Sequence, residues 1–192
     1  MQAAADGSGA TLHELNVTLL DVTPPVWRRL RVPSVIPLSV LHHVLQVAFG
    51  WEDRHLHEWQ VGDRTYAPTD EDSWGEELHD ESTAILAEVA PADSVLRYEY
   101  DLGDGWEHLV EVVSIQPYTG REPPVALLDG ARAAPPEDCG GPAGYEHLLD
   151  ALADADDPEH DEVVAWLGDR FDPEALDVVG INHRLEALWR PS

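Results

Sequence analysis

Histidines and carboxylates crowd into three short stretches of this sequence, residues 50–59, 98–108 and 135–145. The middle one reads Tyr-Glu-Tyr-Asp-Leu-Gly-Asp-Gly-Trp-Glu-His. Imidazole nitrogens and carboxylate oxygens together are the donor set of a divalent cation, and a cation with an open position lowers the pKa of a bound water and drives hydrolysis. His55, His57, Asp101, Asp104 and His108 are the candidate ligands, with Glu137 and Asp138 of matching type. Two histidines at i and i+2 share a face if the segment is a strand. No contiguous His-Glu-x-x-His spacing is present. Asp101 and Asp104 flank a turn, where they can equally cap their own backbone.

The same stretches support a second chemistry, and the binding module it describes is the expected function, with the metal-dependent hydrolase as its alternative. Trp51, Trp59, Trp106 and Tyr145, with Glu137 and Asp138 beside them, have the makeup of an acidic, aromatic groove for a basic peptide or partner protein. Under either reading the aromatics can instead be core residues of an unusual fold.

Charge narrows the partners. The 192 residues carry 38 acidic and 11 basic side chains, a formal charge of −27, and every basic residue is Arg. Such a chain repels a phosphate backbone, so direct nucleic-acid binding is disfavoured. Arg28, Arg29 and Arg31 form the one basic cluster, read as an anion site or as a solvated strand face paired with surplus carboxylates. No apolar run approaches the roughly 20 residues that span a bilayer. The N-terminus lacks an apolar signal core, and the single cysteine, Cys139, fits a reducing compartment, so a cytoplasmic protein is expected.

The elements that must position these residues follow from periodicity. Residues 12–21 and 26–32 alternate as two strands of a hairpin. Residues 38–49 place Leu38, Leu41, Leu45, Ala48 and Phe49 on one helical stripe, with Pro37 at the first turn and Gly50 as terminator. His42 lies beside that stripe, in a packing role. Residues 55–61 read as a strand that returns through 64–66. The acidic run within 68–81, around Trp74, reads as a solvated loop. Residues 83–89 are a short strand or one helical turn. Residues 95–101 and 106–115 form a hairpin through an Asp-Gly turn. Residues 117–136 read as loop, and the chain beyond as helices, the second with Val163, Val164, Trp166 and Leu167 facing inward. A short helical segment is expected at 172–176 and a last helix at 182–189. The expectation is α+β: a mostly antiparallel sheet, one early helix packed on it and a helical C-terminal third. Residues 1–11 are expected to be a flexible N-terminus and 12–192 a single domain.

These motifs carry a resemblance. Pro25-Val26-Trp27-Arg28-Arg29, Leu41-His42, Phe49-Gly50-Trp51, His55-Leu56-His57, the stretch 98–108 and Pro135-Pro136-Glu137-Asp138-Cys139-Gly140-Gly141-Pro142 with Gly144-Tyr145 occur in one order from about residue 12 to 190. In these the chain resembles the plasmid Orf-three-like family, first named from an open reading frame on a root-inducing plasmid. The resemblance implies an α+β domain of mobile-element association and no settled activity. Some members are labelled insertion-element passenger TnpR proteins, which implies a DNA resolvase. A charge of −27 argues against that chemistry. Many relatives carry cysteines before the Pro-Pro-Glu-Asp motif. Here Ala126 and Ala134 stand there, so the resemblance implies no cysteine-based zinc knuckle in this chain.

Overall fold

The computed structural model describes residues 9–69, 78–168 and 171–190. In chain order the elements are β1 (Thr11–Leu19), β2 (Trp27–Pro33), α1 (Leu38–Phe49), β3 (His57–Val61), β4 (Arg64–Ala67), β5 (Leu78–Asp80), α2 (Leu86–Val89), β6 (Val95–Tyr100), β7 (Trp106–Pro117), β8 (Ala126–Ala131), α3 (Gly141–Ala153), α4 (His160–Leu167) and α5 (Val178–Trp189). The eight strands form one sheet in the order β5-β4-β3-β6-β7-β1-β2-β8. All neighbours are antiparallel except β4 and β5, which run parallel.

Alternation decides what each strand contributes. Leu15, Val17 and Leu19 of β1 are buried, and their partners Val112, Val110 and His108 on β7 are buried on the same face. Leu96, Tyr98 and Tyr100 of β6 continue that face, followed by His57 and Trp59 of β3. Helix α1 presents Leu38, Leu41, Leu45, Ala48 and Phe49 to the core, as its 3–4 spacing dictates. Gly50, at φ 81°, ends it in the left-handed conformation that costs glycine little. Each of the leucines contributes about 1.5–3 kcal/mol when fully buried.

The same alternation splits the arginine cluster. Arg28 points inward and is only 1% exposed. Its Nε–H donates to Ala48 O at 2.8 Å, at the end of α1, and its Nη1 donates to Trp27 O and Ala131 O. Burial lowers its pKa to about 10. Arg29 and Arg31 point the other way, to Glu14 and to Pro123 O. Arg28 is therefore neither an anion site nor a solvated residue. It is a cation satisfied by carbonyl groups, one of them at the negative end of a helix.

Several expectations are corrected. The chain is α+β, but it is mostly an eight-stranded sheet with five short helices, not a sheet with one early helix and a helical C-terminal third. Residues 126–131, read as loop, are the edge strand β8, specified by pairing with β2 rather than by their own composition. Asn182 of α5 covers that edge, bonding both the N–H and the carbonyl of Leu127. The last helix starts at Val178, capped by Asp177, and residues 172–176 turn without forming a helix. Helix α4 buries no residue fully, and Trp166 is 53% exposed. The expected solvated loop lies largely outside the described residues, as do Trp74 and residues 1–8. No helix among the described residues is long and apolar enough to cross a membrane.

Candidate metal centre

The tip of the β6–β7 hairpin is built by Asp101. At φ 56° it occupies the left-handed region that Asp tolerates better than most residues. Its Oδ1 accepts from the N–H groups of Gly103 (3.0 Å) and Asp104 (3.3 Å). Its own N–H donates to Leu56 O, which ties the tip to the segment before β3. The capping role is thus real, and it leaves Oδ2 free, 3.6 Å from His55 Nε2.

The elbow at 135–141 closes on the same point. Trp51 Nε1–H donates to Pro135 O, and Asp104 Oδ2 accepts from Gly140 N–H. Gly141 makes this closure possible, because a Cβ there would stand 2.3 Å from Asp104 O. Glu137 Oε1 accepts from Glu52 N–H (2.7 Å) and from the Tyr100 hydroxyl (3.0 Å). Its other oxygen, Oε2, lies 3.7 Å from His55 Nε2. Asp138, also left-handed at φ 56°, brings Oδ1 to 3.0 Å from the same nitrogen.

His55 Nε2 is therefore surrounded by three carboxylates. It is shielded from solvent and makes no hydrogen bond, since the Asp138 oxygen is near enough but not aligned. Ligand atoms of His55, Asp101 and Asp138 all lie within 4.8 Å of one another. Neighbouring ligands of a tetrahedral ion with bonds of about 2.1 Å are about 3.4 Å apart, and the 3.0–3.7 Å separations here bracket that spacing. Two like charges about 4 Å apart near a protein surface repel by about 4 kcal/mol, whereas a divalent cation between them reverses the sign. Asp101 and Glu137 each hold one oxygen in backbone or hydroxyl hydrogen bonds and aim the other inward, the outer-shell support expected of metal ligands. The side chain of Asp138, 60% exposed, forms the open side.

The other predicted ligands lie elsewhere. His57 opens β3, whereas His55 precedes it, so their i, i+2 spacing does not put them together. His57 Nε2 faces Glu81 at 3.0 Å, and Trp59 Nε1–H donates to the same carboxylate. Glu81, assigned by charge pattern to a solvated run, is 5% exposed. His108 is buried edge-on against Phe49 and Trp51, and burial pulls its pKa down to about 3. Asp104 caps the elbow. The proposed aromatic groove is also corrected. Trp51, Trp59, Trp106 and Tyr145 are core side chains, none more than 7% exposed, because Trp59, Trp106 and Tyr145 fall on the inward side of their elements and Trp51, just after α1, stacks between Phe49 and Tyr100. A concavity of about 830 Å³ exists on the outer sheet face, beside Asn16, Trp27, Arg29 and Glu111, and none of its lining residues belongs to the His55 cluster.

Comparison with known proteins agrees with the fold. The chain is 38% identical over 182 residues to the uncharacterized protein y4hQ of Sinorhizobium fredii (strain NBRC 101917 / NGR234), covering 93% of each. The crystal structure of a protein of unknown function, MM3350 from Methanosarcina mazei Go1, superposes with a TM-score of 0.79 at 33% identity, over 88% of this chain and 96% of that one. The model of the plasmid pRiA4b ORF-3-like proteins matches residues 11–179, and the chain belongs to that family.

Proposed function

We propose that this protein is a divalent-metal-binding domain whose ion is held by His55, Asp101 and Asp138, with Glu137 at its side, and whose open face supports metal-assisted hydrolysis. The carrying observation is the His55 nitrogen, shielded, without a hydrogen bond and faced by three carboxylates, two of which, Asp101 and Glu137, have their other oxygen fixed by hydrogen bonds. One nitrogen and several oxygen donors suit zinc or manganese. The ion would ionise a water on the Asp138 side, and the neighbouring carboxylates would take up its proton. This reading outranks a binding module with an aromatic groove, because the aromatics of that groove belong to the core.

The test starts from chelated protein. Isothermal titration with Zn²⁺ and Mn²⁺, and native mass spectrometry, should give one ion per chain, lost in His55→Ala. An ion at 100 times its Kd should raise stability by about 2.7 kcal/mol. A chain that takes up no ion and gains no thermal stability from either metal sinks the proposal. Metal-dependent turnover of p-nitrophenyl acetate or bis-p-nitrophenyl phosphate tests the hydrolytic part, and loaded protein inert toward both would overturn it.

A further inference from the structure

The segment that carries His55 is anchored by a second group of polar residues, most of them deep in the core. Asp53 N–H donates to Gln46 Oε1 at 2.9 Å. A backbone N–H can only donate, so this contact fixes the orientation of the Gln46 amide. The Gln46 Nε2 then donates to the Tyr98 hydroxyl oxygen at 3.2 Å. That hydroxyl has one hydrogen left to give, and His42 Nδ1 receives it at 2.7 Å. The proton of His42 must therefore sit on Nε2, which donates to Asp53 Oδ1 at 2.8 Å and closes the circle. Four hydrogen bonds run in one direction through Asp53, Gln46, Tyr98 and His42. Tyr98 is fully buried, His42 is 2% exposed and Gln46 4%.

We infer that this ring is a positioning device for the metal centre, setting the path of residues 52–55 so that His55 meets its carboxylates. The inference rests on the metal-binding reading above. Asp53 is held in the ring by both its amide and its side chain, in a left-handed conformation at φ 54°, two residues before His55. The amides on either side continue the pattern. Glu52 N–H donates to Glu137, and Arg54 N–H donates to the Tyr100 hydroxyl, which itself donates to Glu137. Three successive amides of one loop are thus held by side chains from three other parts of the chain. Plain core stability does not call for this, since paired buried polar groups can often be replaced by apolar ones at little cost. What a closed polar ring adds is one arrangement in place of several.

Gln46→Met keeps the length of the side chain and removes both polar contacts of the amide, while Asp53→Asn keeps an oxygen that can accept from His42. Two measurements separate positioning from packing. In metal-free protein, hydrogen exchange at the amides of residues 52–55 should speed up at least tenfold in Gln46→Met and stay near wild type in Asp53→Asn. In titrations with Zn²⁺, Gln46→Met should bind ten- to a hundredfold more weakly, with Asp53→Asn close to wild type. Gln46→Met that loses thermal stability while its exchange at 52–55 or its Zn²⁺ affinity stays within twofold of wild type overturns the inference. Wild-type protein that binds no ion removes the reading beneath it. The exchange result then decides separately whether the ring anchors the loop.

Discussion

His42 and His55 stand close in sequence and each faces a carboxylate, yet their surroundings are opposite. Both nitrogens of His42 are engaged, by Tyr98 and Asp53, and its ring stacks on His57 at 3.5 Å and 6°. Burial first, then the neighbouring His57, lowers its pKa to about 4. His55 Nε2 has three carboxylates and no hydrogen bond. A satisfied histidine belongs to the fold, whereas one that leaves its lone pair or proton unmatched among like charges points to a ligand. Composition does not separate the two, because both are a histidine beside acids.

Substitution should separate them most widely. His42→Ala opens a cavity and removes both the acceptor of the Tyr98 hydroxyl proton and the Nε2 donor to Asp53 Oδ1, at a cost of about 3–4 kcal/mol, or on the order of 10 °C in melting temperature. His55→Ala, measured in EDTA, should stay within about 1 kcal/mol of wild type, since it removes no hydrogen bond made by Nε2. Urea melts of both variants check this, and the comparison breaks if the order is reversed.

Acid should sharpen the same contrast. The folded-state pKa values of His42 (about 4) and His108 (about 3) lie below the unfolded value near 6.5. Between those limits the unfolded chain binds more protons, so the contribution is whole above about pH 6.5 and is lost as pH falls toward 4 and then 3. For His42 the loss is on the order of 3 kcal/mol, from 1.36 kcal/mol per pKa unit. Melting temperature in chelated protein should therefore fall steeply from pH 6.5 to 4, and His108→Gln should flatten the lower part of that limb. An unchanged limb in the variant would mean that His108 does not titrate there.

Elements with a strong local period were legible in the sequence. The stripe of α1 and its terminating Gly50 followed from spacing, and the β6–β7 hairpin from alternation around an Asp-Gly turn. The density of the three stretches also marked where the chain would converge. The partners within that convergence were not legible. His55 and His57 look like one chelating pair until it is known that β3 begins at His57. Glu81 looks solvated until the parallel pairing of β4 and β5 brings the residue after that strand beneath Trp59. Strand β8 carries little signal because β2 supplies its register, and α4, whose spacing predicts one inward face, turns only Val163 and Leu167 partly toward the core and leaves Val164 and Trp166 exposed. The burial of Trp59 and Trp106 is legible from alternation alone, since both share an inward strand face with buried neighbours.

The smallest expected effect on stability is the most discriminating. In Asp101→Asn the Oδ1 that accepts from Gly103 and Asp104 is retained, so the turn should hold. The oxygen facing His55 becomes an amide nitrogen, which ends one repulsion with Glu137 and Asp138 and can donate toward His55 Nε2. Stability in EDTA should change by less than about 0.5 kcal/mol, or rise, while Zn²⁺ affinity drops at least tenfold. A loss above about 1 kcal/mol in urea melts would place Asp101 with His42, among residues that serve the fold. Unchanged stability with lost affinity would keep it with His55, because a carboxylate that the apo fold does not require, aimed at a shielded imidazole nitrogen, is held there for a cation.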